Sequence, residues 1–347
     1  MLDMEIVLED GVVFPGCGGG SSAVGEVVFT TASSGYPQAL SDPSFAGQIL
    51  VFAFPMIGNY GVDEHLLESE RPWVRALVVD SIENGCTLGP EISEWLSGFD
   101  IPIVRKVDTR SLIRHIRTKG ALQGSVGPAG RGYREERDRR HPVEEVSARS
   151  CEVMEGSGPT VVVVDYGLKR GIQRELCSRS CRVVKVPHNS SAEEILSWKP
   201  DGVLLGNGPG DPSLLKAEIE TARSIIGKVP VGGICLGLQV IALASGASTF
   251  KLPFGHRGAN HAVLEIDSGR ALVTSQNHGY AVDESSLDGT GMEISHKNLG
   301  DGSIEGLRDR KRSVIAVQYH PEGSPGPKDG EDFFNDFLSM CGLEAGL

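Results

Sequence analysis

The chain has 347 residues, 39% hydrophobic and 23% charged, the composition of an ordinary globular protein with enough length for two cores. A formal net charge of -13 excludes a nucleic-acid surface, which needs a concentrated basic face. Seven cysteines, odd in number and scattered without a CxxC pair, exclude a disulfide framework and point to a reducing, cytoplasmic setting.

The opening MLDMEIVLEDGVVF alternates acidic and apolar residues and lacks the basic region and long apolar stretch of a signal peptide. EVVFTT (26–31), QILVFAF (48–54) and ALVVDSI (76–82) follow as β-rich runs, and a helix is expected near 111–118. Residues 1–124 therefore read as a smaller β-rich α+β domain. Between 125 and 158, the glycines around Pro128, the mixed-charge run REERDRRH (134–141) and the approach to GSGP (156–159) have the composition of an exposed linker.

From Thr160, short apolar runs alternate with amphipathic stretches, the pattern of βαβ units around a mostly parallel sheet, so 159–347 reads as an α/β domain. VVVVD (161–165), RVVKV (182–186), GVLLGN (202–207) and PVGGIC (230–235) are the expected strands. Helices are expected over about 169–179, after Ser191 with Glu194 at capping-box spacing, and over 214–226 with Asp211 as cap. Cys177 and Cys181 lie four apart on the first of these, with no second pair to complete a tetrahedral metal set. No charge interrupts the stretch between Lys228 and Lys251, but Pro230, Gly232, Gly233 and Gln239 divide it into a strand and a buried helix rather than a membrane span. Residues 261–322 read as several shorter strands and 331–340 as a closing amphipathic helix.

Within GGICLGLQ (232–239), Gly233, Cys235 and Gly237 have the G-x-nucleophile-x-G spacing of a strand-to-helix elbow. Read alone, that spacing suits a buried structural cysteine equally well. A thiol of ordinary acidity is only about 3% ionised at pH 7, and a helix terminus supplies only about 0.3 to 1 kcal/mol toward changing that. A nucleophilic Cys235 therefore predicts a histidine beside it.

His320 ends the apolar run VIAVQY and precedes Glu322 by two residues, which in extended chain places both side chains on one face, with the carboxylate able to orient the ring. A solvated His and Glu at a strand end is the plainer alternative, and His278 is the competitor, without an acid at matching spacing. NGPGDP (207–212) follows a strand and can present backbone N–H groups to an oxyanion, although such a loop is also an ordinary turn before a helix. Nucleotide-binding loops of the GxxxxGK[ST] type do not occur.

Taken in order, NGPGDP, GGICLGLQ, FGHRGANH (254–261), QNHGYAVD (276–283) and HPEGSPGPKD (320–329) resemble the class I glutamine amidotransferases. The N-terminal half narrows the resemblance to small subunits of carbamoyl phosphate synthetases, through GEVVFTTASSGYPQALSDPSF (25–45), FPMIGNYGV (54–62) and VDTRSLIRHIRTKGALQG (107–124). That resemblance implies a class I amidotransferase domain behind a partner-contacting domain. It also implies thioester chemistry at Cys235, with His320 as base and Glu322 orienting it. L-glutamine would be held by Ser44, Gly208, Gly210, Leu236, Gln239, Asn277, Gly279 and Tyr280, and the oxyanion by the N–H groups of Leu236 and Gly208. The chain itself would carry no cofactor or metal; ATP and magnesium would belong to a large synthetase subunit that receives the ammonia. Leu238 stands where many small subunits have histidine, and Tyr280 where phenylalanine is common. A free-standing amidase and a non-catalytic scaffold subunit are the alternative readings.

Overall fold

The computed structural model describes residues 2–83, 89–135 and 141–342. By its contacts the chain divides into two units, Met1–Arg140 with Leu252–Gly258, and His141–Lys251 with Ala259–Leu347.

In the first unit, seven strands close a barrel in the order Leu2–Leu8, Val13–Gly19, Ile103–Arg105, Ala76–Val78, Gln48–Phe52, Ala23–Thr30 and Leu122–Pro128. Period-two alternation sends neighbouring residues into different cores. Ile49 and Val51 pack with Leu112 and Ile116 of the helix Thr109–Lys119, whereas Leu50 and Phe52 pack with Tyr36, Leu40, Ile92 and Leu96. Ser44 is buried in the short turn Pro43–Phe45, whose first residues are tied by the Asp42 carboxylate accepting from Ser44 N–H at 2.8 Å.

The second unit is built on a ten-stranded sheet. Its centre runs parallel through Arg182–Pro187, Thr160–Asp165, Gly202–Leu205, Val231–Ile234 and Val314–Val317. Glu152–Met154 adds antiparallel at one edge; Ile304–Asp309, Glu293–Asn298, Thr249–Glu265 and Ala271–Val282 extend the other. The central strands are valine-rich because both faces are covered. Val162, Val164, Val203 and Leu205 meet the helices Ala192–Ser197, Lys216–Ile225 and Leu236–Ala244, while Val161, Val163 and Leu204 meet Arg170–Ser178 and Asp332–Met340.

The capping box at Ser191 and Glu194 is present. Asp211 caps a different element from the one expected: its carboxylate accepts from Ser213 N–H at 2.9 Å and starts a 3-10 turn over Pro212–Leu214, and the α-helix begins only at Lys216. Within 261–322, Glu293–Asn298, Ile304–Asp309 and Val314–Val317 are the short strands expected, whereas Ala271–Val282 is longer and runs beside Thr249–Glu265 in the sheet.

The segment 125–158 contains the end of a barrel strand, the short helix Val143–Val146 and the edge strand Glu152–Met154; 136–140 of its charge run lie outside the described residues. The uncharged stretch is divided as expected into the strand Val231–Ile234 and the helix Leu236–Ala244, and among the described residues no helix is long and apolar enough to cross a membrane.

Candidate active site

The carboxyl ends of the parallel strands, where open α/β sheets place their sites, carry the chemistry-bearing residues. Gly202–Leu205 leads into the 207–212 loop, Val231–Ile234 into Cys235, and Val314–Val317 into the extended segment ending at His320. The parallel pair Ile234↔Val317 sets these in register, and Cys235 N–H donates to Val317 O at 2.8 Å. His320 is fixed from the other side, its N–H donating to Ser275 O at 2.9 Å.

Cys235 is the N-cap of the following helix and has φ 54° and ψ -104°, a conformation costly for a residue with a Cβ. The flanking glycines make that turn possible. A Cβ on Gly237 would lie 2.1 Å from Leu205 O, and one on Gly233 would lie 2.9 Å from the Gly237 carbonyl carbon. The buried thiol donates weakly to Asn277 O at 3.6 Å.

His320 and Glu322 are buried together, Nδ1 of the ring lying 2.7 Å from Glu322 Oε1. Burial opposes charge on the imidazole, but the facing Glu322 carboxylate outweighs it, and with a contribution from Cys235 the His320 pKa is pushed up to about 10. Burial likewise opposes ionisation of Glu322, yet Lys169 and His320 together hold it well below the usual carboxylate range. The ring is thus an imidazolium at neutral pH, near enough to Cys235 for that residue to raise its proton affinity.

Lys169, which no sequence pattern singled out, completes the group. Its Nζ lies 2.7 Å from Glu322 Oε1 and donates to Ser324 O at 2.5 Å, and its side chain is 2% exposed. Lys169 N–H donates to Asn207 Oδ1 at 3.1 Å, while Asn207 Nδ2 donates to Gly167 O at 3.0 Å, so Asn207 joins the two strand-end loops. One signal was available: Lys169 is the N-cap of the helix Arg170–Ser178, an end at which the helix dipole disfavours a cation.

The predicted binding positions are brought together unevenly. Gly208 lies against Leu236, since a Cβ there would meet Leu236 Cδ2 at 2.9 Å, which puts the 207–212 loop beside the first turn after Cys235. Gly210, with φ 92°, is packed against the His141 ring instead. His141 accepts from Val143 N–H at Nδ1 (3.3 Å) and donates from Nε2 to Asp211 O (3.0 Å), bracing that loop as a neutral ring whose pKa is lowered by burial.

Gln239 Nε2 donates to Tyr280 O at 2.8 Å, so Tyr280 enters through its carbonyl; Gly279 and the Tyr280 side chain are half-buried. Asn277 enters through the carbonyl facing the thiol. His278 turns Nδ1 to Tyr280 O at 2.8 Å and is not part of the Glu322 pair. Leu238 is fully buried among apolar residues of the core, which gives it a packing role.

Comparison with known proteins agrees with this geometry. The family described as "Glutamine amidotransferase class-I" matches residues 162–340, and "Carbamoyl-phosphate synthase small chain, CPSase domain" matches residues 6–126. The carbamoyl phosphate synthase small chain of Bacillus thuringiensis subsp. konkukian is 48% identical over 97% of this chain and 95% of that protein. The corresponding protein of Bacillus caldolyticus is 44% identical over 97% and 96%. The pyrimidine-specific small chain of Bacillus subtilis is 44% identical over 97% and 95%. With both family profiles matched in order and relatives aligned along nearly its whole length, the chain belongs to the carbamoyl phosphate synthase small chain family, its second unit carrying a class I glutamine amidotransferase domain.

Proposed function

We propose that the chain is the glutaminase subunit of a carbamoyl phosphate synthetase, splitting L-glutamine into glutamate and ammonia. The observation that carries this is the convergence of a strained Cys235 with a buried, charged His320–Glu322 pair at the carboxyl edge of the sheet.

In the reaction Cys235 gives up its proton and its sulfur attacks the carboxamide carbon of glutamine, with His320 carrying the proton. The developing oxyanion is met by the N–H groups of Leu236, at the unpaired start of its helix, and of Gly208 beside it. His320 gives its proton to the amide nitrogen, the C–N bond breaks and ammonia leaves a thioester. Water, deprotonated by His320, then releases glutamate and restores the sulfur. Gly208, Gly210, Gln239, Asn277, Gly279 and Tyr280 hold the amino acid, and Glu322 keeps the ring oriented and charged.

The ammonia passes to a large synthetase subunit that holds ATP and magnesium and makes carbamoyl phosphate for pyrimidine and arginine synthesis in the cytoplasm. No cofactor is assigned to the small chain itself. Replacing Cys235 by Ser is expected to abolish glutamate release; undiminished activity would end the proposal. Co-purification of the chain with a large subunit, followed by a glutamine-dependent carbamoyl phosphate assay, tests the partner.

A further inference from the structure

The pair directly beneath the reacting residues is unusual for a dry core. Gln239 lies one helical turn, about 6 Å, beyond Cys235. Gln318 lies two residues before His320, just past the end of the strand Val314–Val317. The two amides meet: Gln239 Nε2 donates to Gln318 Oε1 at 3.0 Å.

The orientation of the pair follows from chemistry. Tyr280 O can only accept, so Gln239 must turn Nε2 toward it; the second Nε2 hydrogen then faces Gln318, which must answer with Oε1. Gln318 is 0% exposed, and its backbone N–H donates to Glu305 O at 2.9 Å. Its Nε2 makes no hydrogen bond to any described residue. A buried amide with one end unpaired stabilises a core less than an apolar side chain of the same shape. Stability therefore gives no reason for glutamine at this position.

We propose that Gln318 is a positioning residue for the glutaminase reaction. By accepting from Gln239 it locks the elbow helix in axial register with the strand that carries His320, and so sets the separation of Cys235 and His320 one layer above. Gln318 Oε1 and Tyr280 O between them take both Nε2 hydrogens of Gln239, which leaves Gln239 Oε1 as the acceptor presented to the cationic amino group of the substrate. The inference rests on the amidotransferase reading above.

The test replaces Gln318 by Met in the full-length chain, which keeps the length of the side chain and removes the acceptor. A loss of kcat of roughly 10- to 100-fold is expected, with the thermal midpoint unchanged or raised, because sub-ångström misplacement acts on the chemical step. Gln318→Glu, which retains an acceptor, is expected to recover most of the rate. Alkylation of Cys235 by a glutamine-like chloroketone is expected to slow in parallel with kcat. If Gln318→Met does not fold, Gln318→Asn, one methylene too short to reach Gln239, carries the same expectations.

A kcat within twofold of wild type, or a loss that tracks a fall in thermal midpoint and is additive with Gln239→Met, overturns the proposal. Failure of the chloroketone to label the wild-type chain overturns the amidotransferase reading instead. Labelling of wild type and variant at equal rates overturns the positioning role alone.

Discussion

Lys169 occupies a helix end that ordinarily favours an acid, and the reason is the carboxylate it faces across the turn. In Lys169→Met, Glu322 would keep only His320 as counter-charge in a site closed to water. Breaking one partner out of a buried ion pair costs about 3 to 5 kcal/mol. Urea unfolding of Lys169→Met should show a loss of that size. The same substitution has a signed effect on titration. Lys169 lowers the proton affinity of His320, so without it the ring holds its proton to higher pH. The limb of the kcat/KM profile governed by His320 deprotonation should therefore move to higher pH, and a limb that stays in place or moves down would contradict the charge arrangement. The HPE motif made His320 and Glu322 legible in the sequence. Lys169 was not legible, because it follows a strand that two others separate in the sheet from the one leading to Glu322, and only the folding of the loops beyond them brings the two side chains together.

The element that decides the site is the elbow, where a strand, a residue at positive φ and a helix follow without a spacer. Its glycine spacing was readable, but by itself it suited a buried structural cysteine equally well, and it became specific only together with the other motifs in order. The physical demand behind it was not, because it comes from a different strand: Leu205 O occupies the space that a Cβ on Gly237 would need. Gly237→Ala must push the helix off the sheet, as the obstructing atom is backbone and cannot rotate aside. The expected result is destabilisation of about 1 to 3 kcal/mol, with a fall in kcat of about 100-fold as the thiol moves away from His320. A thermal melt read beside a glutaminase assay checks both. Wild-type activity in this variant would mean that the close approach of helix and strand is not what places the sulfur.

At the scale of the whole molecule, the buried pair ties stability to pH. The raised pKa of His320 contributes fully below its ordinary value of 6.5 and is lost as pH rises through about 10. The lowered pKa of Glu322 contributes above its ordinary value of 4.5 and is lost as pH falls through the lowered value. The difference in urea midpoint between wild type and Glu322→Gln should thus be greatest between about pH 4.5 and 6.5 and should shrink toward pH 10; a difference independent of pH would refute the coupling. By itself the sequence determined the division into a β-rich half and an α/β half and the parallel strands, because these rest on local periodicity, while the Cys–His–Glu set was expected only from several motifs taken together. Tertiary structure decided the start of the helix after Asp211, the length of the strands between 249 and 282, the bracing of Gly210 by His141 and the placement of Lys169 and Gln318 around the catalytic pair. Each of these depends on which backbone atoms stand opposite one another across the sheet, and that register is set by packing among distant segments rather than by any residue's neighbours in the chain.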